Sequence, residues 1–119
     1  MAKLINSKGK VILEQMRVAR SGLSLAYGLM FASKKKVERG MCLVFPNKDV
    51  KYGAAITMWF CFMSYEILCI NSNFKVVDKV VLRPFKTTYI PKDKCKYVIE
   101  SLPGTFESIK EGDIVRINF

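Results

Sequence analysis

Short runs of apolar and β-branched residues, each closed by a proline, glycine or asparagine cluster, recur along this sequence between residues 11 and 117. Such spacing specifies strands, because a helix needs a longer run at a 3.6-residue period to bury one face. Residues 11–19 read as a first strand, and Met41-Cys42-Leu43-Val44-Phe45 reads as a buried strand stopped by Pro46-Asn47. Residues 55–63 and 65–71 give one long strand or two consecutive ones. Asn71-Ser72-Asn73 then turns the chain into residues 74–82, which makes this pair the expected central hairpin. Arg83-Pro84 ends that strand, and residues 84–94 read as extended loop. Residues 95–102 resume as a strand, Pro103-Gly104 turns, and Ile114-Val115-Arg116-Ile117 closes the pattern with apolar and polar residues alternating. Ser21 is placed to cap a short helix reaching Met30, and Lys34-Lys35-Lys36 with Arg39-Gly40 reads as a charged loop. The expected fold is mainly β: a compact antiparallel β-sandwich or barrel, jelly-roll-like, with one or two short helices.

A chain of 119 residues has room for one such core, with residues 1–10 reading as a basic N-terminal arm and residues 11–119 as a single β-domain. Half the residues are apolar and 25% are charged, a balance that folds rather than staying disordered. The lysine-bearing start lacks a sustained apolar segment. The apolar stretch 54–70 is too short for a membrane span and contains Glu66, so the expectation is a cytoplasmic protein with no membrane partner.

Histidine is absent, which excludes Ser-His and Cys-His catalytic pairs, HExxH zinc chemistry and every histidine-ligated metal site. Cys42, Cys61, Cys69 and Cys95 form no CxxC pair, so they read as buried thiols rather than zinc ligands, and one disulfide stays open among several pairings. No nucleotide-binding glycine loop is present, and the sequence asks for no cofactor. Gly28, Gly40, Gly104 and Gly112 suit turns or a close ligand approach. Met30, Met41, Met58 and Met63 suit gap-filling in the core or an adaptable apolar pocket. Glu66 interrupts an apolar run, where a carboxylate needs hydrogen bonds, a cation or a strand end open to water. Together with Glu100 and Asp113 it is the candidate for carboxylate chemistry, sugar hydrolysis or divalent-metal binding.

The net charge of +10 is concentrated in residues 1–40, where nine basic groups face two acidic ones. Lys34, Lys35, Lys36 and Arg39 form a candidate phosphate-binding patch, with Tyr27, Phe31 and Tyr52 as candidate stacking groups; the alternative is a solvated basic surface.

Gly28-Leu29-Met30, then Gly40-Met41 leading to Phe45, then Glu100, Gly104 and Ile109-Lys110-Glu111-Gly112-Asp113 follow one another at a spacing that resembles the domain of unknown function 192 family over residues 18–117. The resemblance implies a mainly β, sandwich or jelly-roll-related fold and no settled activity. The family's middle motif has an aromatic residue or histidine, then methionine, and ends in proline, a hydrophobic residue and aspartate. Here Met58 is kept, while Thr57, Ser64 and Glu66 replace the aromatic or histidine, the proline and the aspartate, so Glu66 preserves a carboxylate.

Three readings of function follow. The first is a non-enzymatic module that binds a small molecule or a protein through loops at one end of the sandwich, with Gly28, Met30, Gly40, Met41, Met58, Glu66, Glu100 and Asp113 as candidate ligand-site residues. The second is a nucleic-acid-associated protein using Lys34, Lys35, Lys36 and Arg39. The third is an enzyme using Glu66, Glu100 and Asp113 together.

Overall fold

A computed structural model describes residues 1–20, 32–46, 56, 58, 61–85 and 88–119. Seven strands, β1 (Ala2–Ile5), β2 (Val11–Ala19), β3 (Met41–Val44), β4 (Tyr65–Ile70), β5 (Val76–Leu82), β6 (Tyr97–Ser101) and β7 (Arg116–Asn118), and one helix, α1 (Lys34–Arg39), are formed among them. The strands lie in the order β5-β4-β6-β3-β2-β1-β7, a mixed sheet curled into a half-barrel. The curl turns on β2, whose first part pairs with β1 and whose last residues, Arg17 to Ala19, pair with β3. At one rim the two edges of the sheet meet. Lys75 bridges Ile114, the Val76 and Val115 amides donate to the carbonyls of Asp113 and Phe74 at 2.9 Å each, and Gly112 donates to Val76 at 2.8 Å.

The mainly β expectation holds, and so does the central hairpin: β4 and β5 are antiparallel. The turn between them is made by Asn71, whose Oδ1 accepts from the Asn73 and Lys75 amides at 3.0 Å each. Asn6 makes the same turn between β1 and β2, accepting from Lys8 and Lys10.

Three expectations are corrected. The sheet is mixed rather than purely antiparallel, because β2 and β3 run parallel, and parallel neighbours require a long crossover such as residues 20–40 supply. Residues 34–39 are helical rather than a loop: Ser33 Oγ accepts from the Lys36 amide at 3.4 Å, and Gly40 ends the helix by donating to the Val37 carbonyl at 3.0 Å. The basic arm of residues 1–10 is instead strand β1 and a turn, because Ala2 and Leu4 bury in the barrel while Lys3 alternates outward. The expected helix at residues 21–30 lies outside the described residues, as does most of the expected strand at 55–63, where Ile56 bridges Tyr89 and residues 61–64 are not strand.

β3, β4 and β6 are buried on both faces and therefore divide two apolar clusters. Leu4, Leu13, Met16, Leu68, Ile99, Phe106 and Ile109 fill the barrel interior. Val37, Met41, Met58, Cys61, Tyr65, Ile67 and Cys95 pack on the outer face. Gly40 joins α1 to β3 at φ +84°, and a Cβ there would stand 2.7 Å from Leu13 Cδ1. That backbone region is glycine's own, so Gly40→Ala is expected to lower stability by about 1–3 kcal/mol in urea unfolding. A wild-type midpoint would refute this account of the junction.

Candidate functional site

The outer face holds two buried carboxylates, Asp78 and Glu100, and the thiols of Cys61, Cys69 and Cys95. The placement of Asp78 depends on a β-bulge: Ile70 pairs with Val76 and Cys69 with Asp78, so Val77 is an extra residue in β5. Past the bulge the alternation is shifted. Asp78 therefore faces outward with Cys69, while Lys79 turns toward the barrel and donates to the Phe106 and Ile109 carbonyls at 3.1 and 2.7 Å.

Asp78 is fully buried. Its Oδ2 accepts from the Tyr89 hydroxyl and from the Lys92 amide at 3.1 Å, which fastens the crossover between β5 and β6 onto the sheet. Its Oδ1 has no hydrogen-bond partner among the described residues, and the Lys92 ammonium stands 3.9 Å away while also gripping Glu111 at 2.9 Å. Burial and the hydrogen bond to Asp78 push the Tyr89 hydroxyl up. The adjacent Cys95 thiol, followed by burial and the charges of Asp78 and Glu100, pushes the Cys69 thiol up.

Glu100 pairs in the ladder with Met41 and Ile67 and faces the same outer side. It is 5% exposed. Burial raises its carboxyl to about 7. Its charge adds to the burial that pushes up Cys61 and Tyr65. Burial likewise raises the Cys42 thiol to about 12. None of the four cysteines is in a disulfide and all are buried, in keeping with packing rather than nucleophilic thiols.

The candidate ligand residues do not form one site. Met41, Met58 and Glu100 share the outer face. Glu66 lies in the barrel, where its Oε1 accepts from the Phe106 amide at 2.8 Å and holds the turn before Ile109. Asp113 sits at the rim where the sheet edges meet, with Oδ2 accepting from the Lys110 amide at 2.9 Å. Glu66 and Glu100 point to opposite faces, so the three carboxylates are not brought together. Gly40 serves the α1–β3 junction, and Gly28 and Met30 lie outside the described residues. No group of three or more Cys, Asp or Glu side chains poised for a metal occurs among the described residues.

The basic patch is assembled. Lys34, Lys35, Lys36 and Arg39 are all exposed on α1, and Val37 is the residue that buries the helix against the outer-face core. Arg39 also donates to Met1 Sδ at 3.1 Å. Beside it, an open cleft of about 300 Å³ is lined by Ile12, Leu13, Glu14, Gln15, Glu38 and Arg39. Neither Asp78 nor the exposed aromatic residues Phe62 and Phe85 stood out from sequence; an aspartate inside a valine-rich strand was the available signal for the first.

A half-barrel of this form, with an α1 crossover between parallel β2 and β3, has counterparts of solved structure. A protein of unknown function from Novosphingobium aromaticivorans superposes with a TM-score of 0.79 over 97% of this chain and 82% of its own, at 22% identity. A Sinorhizobium meliloti protein superposes with a TM-score of 0.80 over 97% of this chain and 90% of its own, at 18% identity. At the level of sequence, the model of the domain of unknown function 192 family, described as uncharacterized ACR, matches residues 3–117. The chain belongs to this family. Relatives include UPF0127 proteins of Pyrococcus horikoshii, 36% identical over 81% of this chain and 79% of the relative, and of Pyrococcus furiosus, 32% identical over 94% of each. The family match begins at Lys3, within β1, and ends at Ile117, within β7, so it takes in every strand. No helix among the described residues is long and apolar enough to cross a membrane.

Proposed function

We propose that this member of the domain of unknown function 192 family is a non-catalytic binding module that works through the end of the sheet where α1 sits. The observation that carries this reading is the joint exposure of Lys34, Lys35, Lys36 and Arg39 on one short helix, against the single carboxylate of Glu38. A surface of that charge selects an anionic partner. Separation of Glu66, Glu100 and Asp113 removes support from the carboxylate-enzyme reading.

Two kinds of partner fit. A small molecule or a peptide bearing both charges would use the cleft beside α1, whose lining joins the apolar Ile12 and Leu13 to the charged Glu14, Glu38 and Arg39. Nucleic acid would instead use the exposed face of α1 through its phosphates, as its four exposed cations favour. The Sinorhizobium protein of the same fold is named as a candidate transcription regulator, a role that would call for such a surface.

Fluorescence anisotropy of labelled DNA, titrated with the full chain at several salt concentrations, tests the nucleic-acid reading. Replacing Lys34, Lys35, Lys36 and Arg39 by glutamine is expected to weaken binding and to flatten the log–log salt slope by about 3, from roughly 0.7 per lost phosphate contact on a single strand. Undiminished binding by that variant would remove α1 from the site. Absence of DNA binding by the wild type would leave the small-ligand cleft as the surviving form of the module.

A further inference from the structure

The strand register brings α1 and an exposed aromatic pair to the same end of the sheet. Tyr65 pairs with Leu82, Glu66 with Ser101 and Met41 with Glu100, so the starts of β3 and β4 and the ends of β5 and β6 lie together. α1 enters β3 at this end, Phe62 shortly precedes β4, and Phe85 shortly follows β5. Val37 of α1 belongs to the same apolar cluster as Met58 and Cys61, next to the aromatic pair. Three strand spacings, about 14 Å, separate β3, which α1 enters, from β5, which Phe85 follows.

Phe62 and Phe85 are 62% and 41% exposed, with ring centroids 5.4 Å apart and planes at 75°. Phe85 is held at φ 60°, a left-handed backbone that bulky residues seldom adopt, and its amide donates to the Met58 carbonyl at 3.0 Å. The Phe85 ring keeps part of its surface open to solvent, with the exposed Arg83 two residues away.

We propose that this end of the domain binds single-stranded nucleic acid, the α1 cations taking phosphates and Phe62 and Phe85 receiving unstacked bases. The proposal rests on the nucleic-acid reading above and narrows it. Cations alone bind duplex and single strand alike, because both carry phosphates. Exposed rings add affinity for a single strand, whose bases are free to stack on them, whereas the bases of a duplex are occupied with each other. Charge and aromatic surface arranged in sequence along one edge suit a strand that crosses from the helix to the rings. Glu38 is the acidic group on α1 itself, and it lines the cleft together with Arg39.

The test is anisotropy with a fluorescein-labelled thymidine oligonucleotide and with a labelled duplex of equal length, using the full chain, the Phe62→Ala/Phe85→Ala variant and the Phe62→Leu/Phe85→Leu variant. Circular dichroism melts confirm that each variant folds, and the leucine variant keeps apolar bulk if the alanine variant does not fold. The single strand is expected to bind at least tenfold tighter than the duplex. Both aromatic variants are expected to lose about 5- to 150-fold on the single strand, the range for one stacked base, with the salt slope unchanged. Equal affinity for the two probes, or single-strand binding unaffected in a folded aromatic variant, would overturn the proposal while leaving the α1 nucleic-acid reading in place. No binding of either probe by the wild type would overturn both.

Discussion

Asp78→Ala is expected to lower the stability of this protein by about 3 kcal/mol in urea unfolding, a large part of what a domain of this size has to lose. The reason is the position of the carboxylate rather than its charge. Asp78 is fully buried, and through Oδ2 it holds both the Tyr89 hydroxyl and the Lys92 amide. Alanine leaves those two donors without their acceptor and leaves a space behind Cys69, its partner across the β4–β5 ladder. Asp78→Asn keeps the shape and an acceptor oxygen for the Tyr89 hydroxyl and the Lys92 amide, so its loss is expected to be only about 1 kcal/mol. The alanine variant should also let the segment around Tyr89 and Lys92 lift from the sheet. Labelling of Cys95 and Cys69 by a thiol reagent under native conditions is then expected to be faster than in the wild type. Equal stabilities for the alanine and asparagine variants would show that Asp78 does not anchor the crossover.

The same residue shows how far the sequence could be read. The central hairpin, the β3 strand and the closing strand were legible because their patterns of burial are local: a buried run, an asparagine turn and alternating apolar positions each speak for themselves. Asp78 was not legible because its direction depends on the bulge at Val77. Strict alternation from Val76 would have turned it into the barrel beside Ile70. The parallel pairing of β2 with β3 is equally non-local, since it is decided by where a crossover returns and not by the strands' own residues. Residues 1–10 read as an arm because Lys3, Lys8 and Lys10 dominate their composition, while the buried residues of β1, Ala2, Leu4 and Ile5, are too few for the alternation to register. Helix α1 looked like a loop because Val37 is its one buried side chain, too little for a helical period to register. Of the proposed site, the cations of α1 were read directly, whereas the meeting of α1 with Phe62 and Phe85 is a product of strand register.

Glu100→Gln is expected to stabilise the protein at pH 8 by about 2–3 kcal/mol and to leave it near the wild type at pH 4. In the folded chain the carboxyl titrates at about 7, against 4.5 for an ordinary glutamate, because burial disfavours its charged form. The folded state therefore holds a proton that the unfolded state has released between these two values. Stability contributed by this group is present below pH 4.5, falls as the pH rises through that window, and is lost above pH 7. A shift of this size corresponds to about 3 kcal/mol at full ionisation. Glutamine carries no charge at any of these pH values, so the variant escapes the loss. The comparison with the wild type at each pH subtracts the other carboxylates, whose titration both proteins share. Urea unfolding at pH 4, 6 and 8 checks it: the difference between variant and wild type should grow with pH. A difference independent of pH would mean that Glu100 ionises as an ordinary carboxylate. Growth with pH would mean that the outer face keeps, beside Met41 and Cys61, an acid that an amide would outperform in stability, so its retention would have to be explained by what that face binds.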